Sequence, residues 1–476
     1  MTMPTGPDAR ELRLRASLLA HYELPWLGVD HEDGVLFPES RRVGVEPGVR
    51  RWCLDDSVRR SAVAGVRPKE LRRVWSALVK RPDDPRQWAI DRFIGQNEGV
   101  SLEELDVDRV RAIGWLSRWL DLRHLPDQHS IDRALGMAAL LEPLRAIADH
   151  TFVGRQDVLA LLDDQLRQPG RPLLIHGMGG VGKSAVLARH LLAHVDDALV
   201  CYLNFDNSAL DPAAPVSLVS AIAKQLVPQL PASDEISALV RSGADRLRSD
   251  TKLLDTSTRS ITLRRNAQRY LQELSDVLPD RPRIFVFDTL EEVQRRSPAV
   301  QEAFAEFIES LAQHVTILLA GRSPAPAFGF ASVELSVLPS EDAITLLRSL
   351  VDVPVAEARE VIQLIRVTPL CVRMAAGILR KHPTNNAFRD LALRRTAIEG
   401  ELYHRLLGYI KDPDVRSLAH PGLTLRRVTP ALIEQVLAKP CRITVPDGER
   451  AHHLFEELAR EAMLVERLPS RDEVVH

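Results

Sequence analysis

Leu173-Leu-Ile-His-Gly177-Met178-Gly179-Gly180-Val181-Gly182-Lys183-Ser184-Ala185 decides the fold of this chain. A short apolar run feeds a glycine-rich loop, and a helical pattern follows at once. Gly177 to Ser184 match G-x-x-x-x-G-K-S, the phosphate-binding P-loop. Glycines let successive backbone N–H groups curl around phosphate oxygens without Cβ clashes. The helix that follows offers its positive N-terminus to the same phosphates. Lys183 is placed to reach the β- and γ-phosphates, and the Ser184 hydroxyl to ligate Mg²⁺. The loop, Gly177 through Ala185, is therefore the expected nucleotide phosphate site, with ATP or ADP and Mg²⁺ as cofactors.

Working downstream, 198–205, 283–288, 315–320 and 333–338 read as further strands. Helical patterns lie between them at 216–227 and 258–278. Alternation of strand and helix predicts a parallel sheet with crossover helices. Asp288 ends the apolar strand Ile284-Phe-Val-Phe287, at the sheet edge beside the P-loop. There an anionic outer partner for Mg²⁺ is needed. The next residue is Thr289, not the glutamate base of the faster hydrolases. The acids come later, at Glu291 and Glu292, with Glu291 the better placed to polarise water. One strand, 198–205, lies between the P-loop strand and the Asp288 strand in sequence. That count suits the ASCE subclass, in which the fourth strand inserts between those two. Arg322, just after that strand, then becomes a sensor of the γ-phosphate.

Outside this core the patterns are helical. Residues 1–147 hold apolar residues at three- and four-residue spacing, as in ELRLRASLLAHY and DRVRAIGWLSRWLDLRHL. Within them, the stretch 35–66 reads as strand–strand–helix. Pro82-Asp83-Asp84 lacks the rest of a nuclease acid cluster, and His21 with Cys53 is only a formal thiol–imidazole pair. Beyond 338 come SEDAITLLRSLV and EAREVIQLIRVTPLCVRMAAGILRK, the second of which Pro369 should kink or split. LYHRLLGYI, TPALIEQVLA and HHLFEELAREAMLV lead to VERLPSRDEVVH. This ending reads as half a β-wing without its return strand, and so points to a gene running past His476.

Composition excludes several classes. Apolar residues make up 45% of the chain and net charge is −3. Neither favours non-specific attraction to nucleic acid or membrane. Cys53, Cys201, Cys371 and Cys441 have no paired spacing, which points away from disulfides or a cysteine zinc site and towards a cytoplasmic location. No apolar run approaches the ~20 residues of a membrane span. Arginine far outnumbers lysine, a bias that points to a GC-rich genome.

These motifs, in this order, resemble the STAND class of signalling ATPases, which includes the NB-ARC proteins. The resemblance covers roughly 150–476. GMGGVGKS is the P-loop variant typical of that class. Phe152-Val153-Gly154-Arg155 resembles the segment that lines the adenine, RIFVFDTLEEV the Mg²⁺ strand and ILLAGRS the sensor arginine. TPLCVRMAAGIL resembles the G-x-P-L motif, which would bring Pro369 and Leu370 to the adenine side. Val367 stands where that motif has glycine. LRRVTPALIEQVLA with LFEELAREAMLVERL resembles a winged-helix domain. The histidine that contacts ADP phosphate in relatives has only His420, His452 and His453 as candidates, and each reads as structural or exposed.

The resemblance implies a multidomain α/β plus α chain. Its parts are a mostly helical effector-associated or adaptor domain (1–147), a P-loop nucleotide-binding domain with a helix-flanked parallel sheet of ASCE type (148–338), a small helical domain (339–398) and a winged-helix domain (399–476). It implies a switch, closed with ADP and opening to oligomerise with ATP, in bacterial signalling or anti-phage defence. Such a chain is a slow ATPase at most. Its partners would be copies of itself and a protein effector bound through 1–147. The alternative is a DNA-associated AAA-like ATPase, an initiator or transposition helper. The charge census weighs against it: residues 401–476 carry 11 basic and 12 acidic residues, whereas DNA-binding winged helices are clearly basic.

Overall fold

The computed structural model describes 8–29, 36–43, 50–148, 151–167, 170–206, 210–230, 280–365, 367–381, 410, 412–422, 427–461, 466–468 and 473–475, with four positions between 269 and 276. The expected helices 258–278 and LYHRLLGYI lie almost wholly outside the described residues. So does the expected boundary near 398. The chain divides into two units, Met1–Ala138 and Ala139–His476.

The second unit is built on a five-stranded parallel sheet. Its strands are β3 (Leu173–His176), β4 (Leu199–Asn204), β5 (Arg283–Asp288), β6 (Thr316–Gly321) and β7 (Ala331–Glu334), in the order β4-β5-β6-β3-β7. All four pairings are parallel. β6 therefore sits between the P-loop strand and the Asp288 strand, as expected from the strand count. The inner strands are apolar and buried along their middles, as a parallel sheet covered on both faces requires. Phe205, Phe287, Phe304 and Phe328 pack as an aromatic cluster on one side. The fifth strand begins two residues earlier than the sequence indicated and ends at Glu334, where Leu335 N donates to His176 O instead.

The outer edge of β4 is closed by side chains. Gln225 accepts from Tyr202 N at 2.7 Å and donates to Tyr202 O at 2.8 Å. Gln229 does the same for Val200, at 2.8 and 2.7 Å. Two glutamines one helical turn apart match two alternate residues of a strand, so they take the place of a neighbouring strand.

Three helices follow the sheet: Ser340–Leu350, Val355–Leu364 and Pro369–Lys381. They share a core that includes Ile344, Leu347, Val361, Cys371, Ala375 and Ile378. Pro369 splits the long helical pattern in two, because it has no N–H to continue a helix and takes the first helical position instead.

The C-terminal segment orders helix Pro413–Gly422, strand β8 (Arg427–Val428), helical turns Pro430–Leu437, helix Gly448–Glu461 and strands β9 (Glu466–Leu468) and β10 (Glu473–Val475). The sheet runs β8-β10-β9 and both pairings are antiparallel. The strand expected at 466–468 therefore has an antiparallel partner, β10, which the sequence reading lacked. At three residues it is too short to show a period-two pattern, so only pairing identifies it.

The first unit joins helices Ala9–Ser17, Asp56–Val63, Pro68–Ser76, Pro85–Ile90 and Val107–Ser117 to an antiparallel pair, β1 (Ser40–Val43) and β2 (Arg51–Leu54). The expected strand–strand–helix stretch is thus present. Arg59 is fully buried at its centre. Its guanidinium donates to Leu54 O, Ser17 O and Ala20 O and lies 5.0 Å from the Trp115 ring. Burial lowers its pKa, and the carbonyls and ring offset that cost. Asp84, from the Pro82-Asp83-Asp84 run, caps helix Pro85–Ile90 by accepting from Arg86 N. His21 faces Asp84 at 4.0 Å, and Cys53 Sγ faces Arg59 at 3.6 Å, so neither needs the other as partner.

Candidate nucleotide site

β3 ends at His176 and helix Lys183–His194 follows after only six residues, so Gly177–Gly182 must turn tightly. Two glycines are required by their surroundings. At Gly177 (φ +153°) a Cβ would lie 2.6 Å from Leu335 O. At Gly180 (φ +73°) it would lie 2.7 Å from Leu370 Cβ. Larger residues would push either neighbour away. Val181 is fully buried and anchors the loop.

Lys183 Nζ donates to Gly177 O at 2.7 Å and to Met178 O at 3.0 Å. Its ammonium thus lies over the loop that it would share with phosphate. Burial lowers its pKa, and the charges of Glu291 and then Asp288 act in the opposite sense. Ser184 stands in the first turn of the helix, half-buried.

Asp288 is 3% exposed. Tyr202 Oη donates to its Oδ2 at 2.6 Å and Thr289 N to its Oδ1 at 2.7 Å. A carboxylate held by two donors is rigid, which suits an outer partner for Mg²⁺. Hard oxygen donors at Ser184 and Asp288 fit that ion. Thr289 adopts φ +65°, unusual for a β-branched residue. Its hydroxyl donates to Asp206 Oδ2 at 2.6 Å, a contact that helps hold the strained backbone. Tyr202 and Asp206 were not singled out from sequence, and Thr289 only as the residue that stands in place of a glutamate. The one signal was a lone tyrosine within an apolar strand.

Of the two glutamates, Glu291 reaches the site. Its side chain is 15% exposed, and its Oε1 accepts from Arg322 Nε at 3.0 Å. Its Oε2 is buried without a hydrogen-bond partner among the described residues. Glu292 instead pairs with Arg295 at 2.5 Å. Arg322 leaves the end of β6 and is 61% exposed. The topology that puts β6 beside β5 brings this arginine to that glutamate.

Of the residues expected on the adenine side, Arg155, Pro369 and Leu370 lie against the loop. Arg155 (φ +66°) donates to Ser336 O at 2.5 Å and to Val181 O at 3.4 Å. Val153 packs on the core of the helical segment, and Phe152 is half-buried. Leu370 N donates to Gly180 O at 3.3 Å, and Pro369 Cγ lies 3.6 Å from where a Gly182 Cβ would stand. Val367 accepts from Leu338 N at 2.9 Å and has no positive φ, so the glycine of the related motif is not needed there. His452 and His453 sit on exposed positions of helix Gly448–Glu461, beside Glu456 and Arg450 on that same helix. The His420 side chain lies outside the described residues.

No described helix is long and apolar enough to cross a membrane. Residues 151–319 match the AAA ATPase domain family. A probable ATPase of Lysobacter enzymogenes is 26% identical over 456 residues, covering 83% of this chain and 43% of that protein. The chain therefore spans less than half the length of this relative. Among solved structures, the Walker-type ATPase of Pyrococcus abyssi aligns with 17% identity over 68% of this chain and 93% of its own, at a TM-score of 0.33. AMPPCP-bound DnaA from Aquifex aeolicus aligns with 10% identity over 67% and 92%, at 0.32. The segment 151–319, which holds the P-loop, strands β3, β4 and β5 and most of β6, matches an ATPase domain of the AAA, P-loop type, and such a domain binds nucleotide.

Proposed function

We propose that this chain is a nucleotide-controlled switch of the STAND class, acting in bacterial signalling or anti-phage defence. One observation carries the reading. The first turn of helix Pro369–Lys381 rests on the phosphate loop itself, through Leu370 on Gly180. A change in the loop's contents therefore acts directly on the seating of the helical segment. A ligand shifts such an equilibrium only by its differential affinity for the two arrangements. ADP would favour the seated arrangement, and ATP with Mg²⁺ an opened one that self-associates.

In this reading Ser184 and Asp288 would hold Mg²⁺ beside the phosphates. Lys183 and the loop amides take the phosphates. Mg²⁺ would neutralise charge on the phosphates. Arg322 senses the γ-phosphate, and its ion pair with Glu291 holds one oxygen of that carboxylate, leaving Oε2 to polarise water. Phe152, Val153, Arg155, Pro369 and Leu370 border the adenine. The helix–strand–helix–helix–strand–strand order of 413–475 supports a winged helix, and the near-neutral charge of 401–476 favours a protein over a DNA contact. Residues 1–147 would recruit an effector protein, in the cytoplasm.

The test is size against nucleotide state. The chain should carry ADP through purification and run as a monomer, and form a defined oligomer with ATP and Mg²⁺. Lys183→Ala should lose nucleotide binding and stay monomeric. Unchanged size in both nucleotides, or full ATP affinity in Lys183→Ala, refutes the switch or the site respectively.

A further inference from the structure

Away from the nucleotide, helix Gln156–Leu166 and helix Lys183–His194 bring three ligand-type side chains to one point. His190 and His194 are one helical turn apart and share a face, with ring centroids 4.7 Å apart. Asp163 Oδ1 lies 3.2 Å from His190 Nδ1 and 3.1 Å from His194 Nε2. One donor atom from each side chain lies within 4.8 Å of the other two.

These separations are informative. Two ligands bound at about 2.0–2.1 Å to a tetrahedral zinc ion stand roughly 3.3 Å apart. The two Asp163–imidazole distances fall close to that edge, so a metal could enter with little movement of the side chains. His190 is 1% exposed, and its second ring nitrogen has no hydrogen-bond partner among the described residues. Asp163 is therefore the group that orients this ring. Asp163 and His194 are 47% and 28% exposed, so solvent reaches the cluster from one side. Without a metal the same atoms make a plain hydrogen-bonded triad, with one carboxylate oxygen accepting from two imidazoles.

We propose that Asp163, His190 and His194 form a binding site for a divalent transition metal of the zinc type, with its fourth position left to water. Two imidazoles and one carboxylate favour such an ion over Mg²⁺, which prefers oxygen ligands. The site ties helix Gln156–Leu166 to the C-terminal end of the P-loop helix. Its role is to fasten the nucleotide domain, and it stands apart from Ser184 and Asp288.

The experiment uses the full chain without a polyhistidine tag, stripped with chelator, and free of nucleotide. Zinc titration against a chromophoric chelator should give one equivalent bound, with a dissociation constant of about 1 μM or below. Zinc should also raise the melting midpoint. Cobalt substitution should give visible bands of low coordination number with no thiolate charge-transfer band, which excludes the cysteines. Asp163→Asn and His194→Gln, checked for folding by circular dichroism, should each weaken zinc at least about tenfold, while Lys183→Ala should not. Absence of stoichiometric zinc binding leaves a hydrogen-bonded triad only and overturns the proposal. Parent-like zinc affinity in both variants, or a thiolate band with cobalt, overturns it as well.

Discussion

Glu291 and Arg322 are separated by thirty residues and two elements, yet they share an ion pair at the mouth of the P-loop. The carboxylate sits near Lys183, with one oxygen held by arginine and the other buried without a partner. Glu291→Gln should therefore reduce ATP hydrolysis at least about tenfold, with nucleotide affinity kept within a small factor. A phosphate-release assay paired with a fluorescent-nucleotide titration reads both, and loss of binding in place of turnover would reject the assigned role. The choice between Glu291 and Glu292 was open to sequence reading only as a matter of position. Packing separates them, because Glu292 turns to Arg295.

Among the elements, two contacts carry most of the consequence. The paired glutamines on the β4 edge satisfy backbone groups that would otherwise be buried and unpaired, Val200 N among them. Gln229→Leu should destabilise the second unit by about 1–3 kcal/mol, seen as a lower denaturant midpoint without a change in slope. A shift below a few tenths of that would mean that water replaces the side chain. The seating of helix Pro369–Lys381 on Gly180 is the other contact. Leu370→Ala removes the side chain that meets the loop while keeping the backbone bond to Gly180 O. In that variant the ATP-dependent oligomer should form at lower nucleotide concentration, readable by light scattering. A variant identical to the parent would remove Leu370 from the switch.

For the molecule as a whole, charge sets the expectation. Net charge is −3, and the C-terminal segment is near neutral. Binding to duplex DNA should be weaker than about 10⁻⁴ M at physiological salt, the weak end of non-specific affinity. Fluorescence anisotropy with a labelled duplex checks this at ~150 mM salt with ADP and with ATP. Tight, salt-resistant binding would support a DNA-associated ATPase instead of a signalling switch. The buried Arg59 cluster and the P-loop sheet belong to separate units with separate cores.

The amino-acid order by itself determined the P-loop, the parallel sheet, the position of β6 and the acid at the end of β5. Those features rest on contiguous residues whose local chemistry is unambiguous: glycines that must turn, apolar runs buried on both faces, and a carboxylate at a strand end. Only the tertiary structure decided the rest. It selected Glu291, set Tyr202 on Asp288, laid Leu370 on Gly180, closed the β4 edge with glutamines and gathered Asp163 with His190 and His194. It also supplied the partner strand at Glu473–Val475. Each of these depends on residues distant in sequence, or on an element of three residues, and neither carries a periodic signal. Packing alone brings such groups within hydrogen-bonding reach.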